Sequence, residues 1–183
     1  MHRVAGMPDL HPGRGYPVGA AFFCVGRLYP ALVSNDIGCG MALWRTDIPT
    51  AKLHLDKLGK RLGNLDLPLD ETWQEAVASF GLPVTGHERP LGTIGGGNHF
   101  AELQQLDESY DDAALATLGI DRRHLLLLVH SGSRGLGEAI LRGQVDLFGH
   151  HGVEAGSEAS THYLGRHDGA LRFAEANRQL IAR

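Results

Sequence analysis

Three short glycine-rich segments of this sequence contain residue types that bind metals and anions. The first is Asn-Asp-Ile-Gly-Cys-Gly-Met at 35–41, in which Asp36 and Cys39 stand three residues apart and a glycine flanks the cysteine on each side. Such a turn can direct a carboxylate and a thiolate at one point. Taken alone, the segment also has ordinary structural explanations, because aspartate often caps a turn and cysteine is often a small core residue.

The second segment is Gly-Thr-Ile-Gly-Gly-Gly-Asn-His-Phe at 92–100, where three successive glycines precede Asn98 and His99. Successive glycines expose backbone N–H groups, here beside an imidazole that can ligate a metal. The alternative is a hairpin turn followed by a core histidine. The segment is not a P-loop, because no Gly-Lys-Ser/Thr follows it.

The third segment, at 130–137, is His-Ser-Gly-Ser-Arg-Gly-Leu-Gly, and it follows the apolar run at 124–130. This pattern predicts a buried strand that ends in His130 and a glycine-rich turn that opens a helix. Helix N-terminal amides together with Arg134 would form an anion site. The glycine order differs from the dinucleotide-binding fingerprint. His130 alone is also consistent with a strand-end histidine whose hydrogen bonds are satisfied.

Together, the three segments supply one carboxylate, one thiolate and two imidazoles, a mixed donor set that suits zinc, manganese or iron. The formal net charge of −4 argues against nucleic-acid binding through bulk electrostatics, so a polyanion site has to be local. A bound metal would supply the positive charge that the composition lacks. The residues by themselves therefore indicate metal-assisted phosphate chemistry.

The elements that position these segments are predicted from composition and hydrophobic periodicity. The chain has 183 residues, of which 43% are hydrophobic, and this is ordinary for one globular domain, 1–183. Alternating and apolar runs predict strands, leucine-spaced runs predict helices, and the absence of strict βαβ alternation favours an α+β fold with mixed sheets. The predicted elements are a loop at 1–20, strands at 20–25, 41–48, 99–106 and 124–130, and helices at 51–63, 69–80, 111–119, 135–149 and 160–182.

Cysteine content and apolar-run length predict the compartment. Two cysteines, Cys24 and Cys39, cannot form a disulfide scaffold and are typical of a reducing cytosol. The first fifteen residues contain no apolar signal-peptide core, and the longest apolar run, 125–129, is too short to span a bilayer. We therefore expect a soluble cytoplasmic protein with no membrane partner.

The same segments resemble the motifs of the RtcB family of RNA ligases. The chain contains, in the family's order, Met-Pro-Asp-Leu-His-Pro-Gly at 7–13, Asp-Ile-Gly-Cys-Gly-Met at 36–41, Gly-Asn-His-Phe-Ala-Glu at 97–102 and His-Ser-Gly-Ser-Arg-Gly at 130–135. Asn-Arg at 177–178 resembles a further family helix. The form of the first motif and the short spacing between motifs are most similar to the release-factor-H-coupled branch of the family.

The resemblance implies an RtcB-like fold and a ligase that joins RNA 2′,3′-cyclic phosphate or 3′-phosphate ends to 5′-hydroxyl ends with GTP and two Mn²⁺ ions. By this likeness, one group of residues would hold the metals, a second would line the GTP site, and a third would contact RNA. The RNA would be tRNA, rRNA or another cleaved RNA, with a functional link to release factor H. Cys39 would bridge both metals, with Asp36 and His99 on one and His130 on the other; Asn98, His99, Phe100, Ala101 and Glu102 would line the GTP site; Arg134 would hold RNA phosphate; and Asp9 would orient or deprotonate the incoming hydroxyl.

The sequence departs from the family pattern after the fourth motif. The family uses one further metal-binding histidine and one histidine that becomes guanylated, both downstream of that motif. The later histidines, at 150, 151, 162 and 167, occur in no family-like motif and are interpreted as surface or helix residues. We therefore expect a partial catalytic domain corresponding to the first half of such a ligase. The alternatives are an inactive metal- or RNA-binding remnant, one half of a split ligase, or a different metal-dependent phosphoesterase.

Overall fold

The computed structural model describes residues 1–13, 16–33, 35–62 and 73–183 of the chain. In this part of the chain, five helices accompany three small antiparallel sheets, which confirms the predicted α+β class. No helix among these residues is both long and apolar enough to cross a bilayer. The elements are β1 (Arg3–Pro12), β2 (Pro17–Phe23), β3 (Arg27–Leu28), β4 (Gly40–Pro49), α1 (Leu55–Leu62), α2 (Trp73–Ser79), β5 (Phe100–Gln104), α3 (Asp112–Leu118), β6 (His124–Ser131), α4 (Gly135–Phe148), β7 (Val153–Glu154) and α5 (Glu158–Ile181).

A three-stranded antiparallel sheet of order β4-β6-β5 forms the centre of the fold. In its register Met41 and Phe100 both lie opposite His130, while Leu43 and Glu102 lie opposite Leu128. Directly opposed residues of antiparallel strands project from the same face of the sheet. We call the face that carries these residues the His130 face.

Helices α4 and α5 pack against each other, and α5 also contacts the sheet. Their apolar positions meet α2 and the segment that follows it in a single buried cluster, which includes the fully or almost fully buried Leu91, Ile140 and Phe173. The predicted helices at 111–119, 135–149 and 160–182 are confirmed, and Ser157 caps α5 by accepting a hydrogen bond from the backbone N–H of Ser160.

The prediction of a loop at 1–20 is wrong for the described residues of that range. Strands β1 and β2 pair antiparallel as a hairpin with an irregularity between Gly6 and His11. Prolines and glycines led to the loop prediction, but in a two-stranded ribbon each strand has a free edge, where a proline without an N–H is tolerated. All ten residues of β1 are exposed. Residues 14 and 15 lie outside the described part.

The two predicted helices before β5 are confirmed where the structure describes them. Helix α1 occupies most of the first range, 51–63, although residues 50–52 form a separate 3-10 turn before it. Helix α2 accounts for the described portion of the second range, 69–80. The predicted end of the first helix at Gly63 and the first four residues of the second prediction, 69–72, lie outside the described residues.

Candidate metal centre

Cys39, His99 and His130 converge at one end of the central sheet. The Cys39 sulfur lies 3.6 Å from Nε2 of His99 and 3.6 Å from Nε2 of His130, and the three ligand atoms all lie within 4.8 Å of one another. A tetrahedral ion with bonds of about 2.3 Å to sulfur and about 2.0 Å to nitrogen would hold two such ligands about 3.5 Å apart. The donors thus have the separation that sharing a metal requires.

The sheet itself brings the three residues together. Cys39 immediately precedes β4, His99 immediately precedes β5, and His130 is the penultimate residue of β6. Because β6 runs antiparallel between the other two strands, its end lies beside both of their beginnings. His99 and His130, which follow Cys39 by 60 and 91 positions in the sequence, therefore lie next to it in the fold.

Asp36 adds a carboxylate beside the triad. Its Oδ2 lies 2.7 Å from His99 Nε2, and its Oδ1 accepts a hydrogen bond of 3.2 Å from the backbone N–H of Arg134. Gly132 is required for this position, because a Cβ on that residue would overlap the Asp36 carboxylate. The four predicted metal ligands, Asp36, Cys39, His99 and His130, are thus found together.

The ring of His130 is oriented by a second set of contacts. Its Nδ1 lies 3.1 Å from the carbonyl oxygen of Gly40, so this nitrogen carries the proton and donates it to that oxygen. The lone pair of Nε2 then points into the cluster, as a metal-ligating histidine requires. Asn98 donates from its side-chain amide to the same Nε2 at 3.2 Å, so Asn98 directly borders the cluster.

The Cys39 thiol is held in its protonated form when no metal is bound. Removal of the sulfur from water raises the pKa of Cys39 to about 11, and the negative charge of Asp36 adds to this effect, while Arg178 opposes it. A metal ligates the thiolate, so binding must release this proton.

Metal affinity should therefore rise with pH. Between about pH 7.5 and 9.5 the free Cys39 thiol is still protonated, so we expect the association constant for Mn²⁺ to increase about tenfold per pH unit. Isothermal titration calorimetry at four pH values, in buffers of different ionisation enthalpy, gives both this slope and the number of protons released. A pH-independent association constant over this range would contradict thiolate ligation.

Arg134 joins the glycine-rich turn at 130–137 to the cluster of candidate metal ligands. It stands at the start of α4 with φ of 57°, a conformation that non-glycine residues rarely adopt. Its guanidinium donates to Nδ1 of His99 at 3.2 Å and lies against Gly95. The guanidinium is thus positioned by His99, and the role of Arg134 in holding RNA phosphate stays a prediction.

The Gly95 position makes this contact testable. A Cβ at Gly95 would overlap the Arg134 guanidinium, and φ at Gly95 is +95°, whereas a Cβ at Gly96 would meet nothing within 4 Å. We expect Gly95→Ala to lower the free energy of unfolding by about 1–3 kcal/mol and Gly96→Ala to change it by less than about 0.5 kcal/mol. Urea denaturation of both variants measures this, and equal effects would show that Arg134 does not occupy the place described.

Two residues of helix α5, Asn177 and Arg178, hydrogen-bond to all three glycine-rich segments, a role that the sequence pattern does not predict. Asn177 is fully buried, accepts a hydrogen bond from the backbone N–H of Gly92, and donates to the Thr93 carbonyl and the Ser131 hydroxyl. Arg178 donates at 2.8 Å to the carbonyl oxygens of both Gly38 and Ser131. The Asn-Arg pair was recognised as a motif, but its function in connecting distant loops needs the three-dimensional structure.

The other predicted site residues lie further from the triad. Phe100 and Glu102 project from the His130 face, and the Phe100 ring centroid is 5.5 Å from that of His130. Ala101 projects from the opposite face, and Glu102 accepts a hydrogen bond from Gln104. Asp9 lies on exposed β1, whose main packing within the described chain is against β2.

Comparison with known proteins gives a consistent result over the whole chain. The family model described as tRNA-splicing ligase RtcB matches residues 1–81 and 83–183. The chain is 58% identical over 182 residues to RNA-splicing ligase RtcB2 of Escherichia coli, covering 100% of this chain and 48% of that protein. It is 30% identical to tRNA-splicing ligase RtcB of Nanoarchaeum equitans, covering 96% of this chain and 49% of that protein. The chain thus spans about half the length of these curated relatives.

Proposed function

The chain belongs to the RtcB family of tRNA-splicing ligases, and we propose that it forms the metal-binding half of an RNA ligase active site. The reaction would join a 2′,3′-cyclic phosphate or 3′-phosphate end of RNA to a 5′-hydroxyl end, with GTP as the energy source. The convergence of Cys39, His99 and His130 beside Asp36 supports this proposal most directly. A family likeness alone would not require these side chains to meet.

In the proposed site, Cys39 would bridge two Mn²⁺ ions, with Asp36 and His99 completing one and His130 contributing to the other. The donor set fits such ions, because a thiolate, two imidazoles and a carboxylate are all ligands for this class of metal. Bound Mn²⁺ would stabilise negative charge that develops on phosphate oxygens. Gly40 would keep the ligating nitrogen of His130 aimed inward through its carbonyl oxygen.

The nucleotide would occupy the side of the cluster that Asn98 borders. Asn98 would contact GTP phosphate through its amide, and Glu102 would contact the guanine from further along β5. Both Phe100 and Glu102 project from the His130 face, so they are available to a ligand lying across it. Ala101 contributes backbone only, because its side chain projects from the opposite face.

RNA ends are the proposed partner, and the cytoplasm is the proposed compartment. The relatives' names specify RNA splicing in one case and tRNA splicing in the other. Arg134 would hold an RNA phosphate at the start of α4, where backbone N–H groups and the helix dipole favour an anion. Asp9 would orient or deprotonate the incoming 5′-hydroxyl, and release factor H would be a functional partner.

A chimaera tests this function directly. In it, residues 1–183 replace the matching half of the Escherichia coli relative, and the purified protein is incubated with RNA bearing a 2′,3′-cyclic phosphate and RNA bearing a 5′-hydroxyl, together with GTP and Mn²⁺. We expect a joined RNA product on a denaturing gel, which disappears in the Cys39→Ala chimaera and persists in Cys24→Ala. A folded, metal-loaded chimaera that joins no RNA would contradict the proposal.

For residues 1–183 on their own, we expect no covalent GMP adduct. None of the four histidines after position 137 occurs in a family-like motif, and within the described residues none of them joins the metal cluster. Incubation with labelled GTP and Mn²⁺, followed by denaturing electrophoresis, should therefore show no labelled band. A stable labelled band would show that a histidine of this chain becomes guanylated.

The lack of a family-like motif around the four later histidines also supports a second candidate. In it, residues 1–183 serve as one half of a split ligase or as a metal- or RNA-binding remnant. The split ligase and the remnant differ in whether RNA joining can be restored. Addition of the other half of the Escherichia coli relative as a separate chain should restore joining for a split ligase. A remnant would bind Mn²⁺ or RNA without joining in any of these mixtures.

A further inference from the structure

A cavity of about 500 Å³ lies between helices α4 and α5, and its lining includes none of the candidate metal ligands. Its walls are formed by one face of each helix and by the segment 83–87 that follows α2. This volume is in the range of pockets that bind small ligands. No site residue predicted from the sequence belongs to it. The lining residues are Pro83, Thr85, His87, Leu136, Ile140, Thr161, His162, Gly165, Arg166 and Gly169.

Residues of helices α4 and α5 form most of the cavity lining. Leu136 and Ile140, one helical turn apart on α4, form one wall, and both are buried. Gly165 and Gly169, one turn apart on α5, contribute to the other. A Cβ at Gly165 would meet nothing within 4 Å. Gly169 is buried and a Cβ there would lie 3.6 Å from Pro83, so the open part of this wall is the backbone at Gly165, against which a planar ring can lie.

The polar groups of the cavity favour an anion. Its one residue with a permanent charge is Arg166, and neither Asp nor Glu lines it. No carboxylate pairs with Arg166 among the residues that the structure describes, so the guanidinium can bind a phosphate through two N–H groups. His87 and His162 supply further imidazole groups. In a protein of net charge −4, this lining with one arginine and no carboxylate is a local exception.

The third wall of the cavity is held in place by a buried carboxylate. Glu88 is 3% exposed and accepts hydrogen bonds from the Thr85 hydroxyl at 2.7 Å and from the backbone N–H of Gly86 at 3.0 Å. These contacts fix the turn that carries Thr85 and His87. The cavity is therefore preformed on this side, which reduces the ordering that a ligand would have to impose.

The cavity adjoins the glycine-rich turn at 130–137. A Cβ at Gly135, the residue after Arg134, would lie 3.9 Å from Nδ1 of His87, and Leu136 follows directly in the wall. A phosphate held at Arg134 and a group placed in the cavity would thus be near neighbours. Successive phosphates of a nucleic-acid strand are separated by one nucleoside, which is the kind of group that this arrangement would admit.

We propose that this cavity binds one nucleotide unit, with its base against the open backbone of Gly165 and its phosphate on Arg166. The choice of RNA as the source rests on the proposed ligase function, and the unit would be a nucleotide next to the joined end. The site would bind the strand through the shape of the cavity and through contact with a phosphate group. It would therefore tolerate different bases, because every base presents an apolar face for stacking.

A pair of glycine variants tests the cavity. Gly165→Leu places a side chain in the open space of the cavity, whereas Gly59→Leu makes the same change on α1, where a Cβ also meets nothing within 4 Å. Both replace glycine by a good helix former, so neither is expected to unfold the protein. Binding is measured by calorimetry on metal-free protein without GTP, using uridine 5′-monophosphate in one arm and a 3′-phosphorylated uridine trinucleotide in the other.

We expect saturable binding that weakens about tenfold or more in Gly165→Leu and is unchanged in Gly59→Leu. Arg166→Gln should have a similar effect, with the exposed Arg172→Gln on the same helix as its control. Tighter binding of the trinucleotide identifies an RNA strand as the source, and equal affinities identify a free mononucleotide. Absence of saturable binding to either probe, or equal effects of the two glycine variants, would overturn the site. Because these assays need neither metal nor GTP, they fail independently of RNA joining by the chimaera.

Discussion

Cys39→Ala should reduce the affinity of the chain for Mn²⁺ by roughly a hundredfold or more. The reason is geometric as well as chemical: the Cys39 sulfur is the donor that lies 3.6 Å from both imidazole nitrogens. Without it, His99 and His130 lose the atom that connects them. Calorimetric titration measures this difference at pH 8.5, where the Cys39 thiol loses its proton more readily than at neutral pH.

Cys24→Ala is the matched control for this variant. Neither cysteine forms a disulfide, but of the two only Cys39 belongs to the group of candidate metal ligands in the described chain. We expect Cys24→Ala to bind Mn²⁺ like the parent. If Cys39→Ala binds the metal as well as Cys24→Ala does, the thiolate is not a ligand and the metal centre described above is wrong.

Asn177→Ala should lower the free energy of unfolding by about 3 kcal/mol, because it leaves several buried backbone and hydroxyl groups without partners. Asn177 is fully buried and bonds to the segment at 92–93 as well as to Ser131. For a chain of this size the loss corresponds to a fall in Tm of about 6–12 °C. Thermal and urea denaturation followed by circular dichroism measure it.

Gln179→Ala provides the control, because Gln179 is an exposed residue two positions further along the same helix. Its replacement should change the free energy of unfolding by less than about 0.5 kcal/mol. We also expect Asn177→Ala to weaken Mn²⁺ binding even at temperatures where it remains folded, because the loops that carry His99 and His130 lose their common anchor. Wild-type stability in this variant would show that α5 does not organise these loops.

The candidate metal ligands could be selected from the sequence because each lies in a glycine-rich turn beside a strand. The apolar run before His130 indicates β6, and the run after Cys39 indicates β4. What the pattern could not provide is strand order, since adjacency in a sheet depends on contacts between distant segments. That β6 lies between β4 and β5, and so collects all three ligands, is a property of the folded chain.

Two features escaped the sequence analysis for different physical reasons. The β1–β2 hairpin was missed because its prolines and glycines are turn signals, and only pairing between the strands makes an extended ribbon of them. The role of Asn177 was missed because a polar residue on a helix is usually solvated, and its partners lie 45 or more positions away in the chain.

X-ray absorption spectroscopy of the Mn²⁺-loaded chain tests the metal centre most directly, because it identifies the atoms bound to the metal. The account predicts one sulfur scatterer from Cys39 together with imidazole nitrogens from His99 and His130, and loss of the sulfur signal in Cys39→Ala but not in Cys24→Ala. A spectrum of the parent protein with only oxygen and nitrogen neighbours would contradict it.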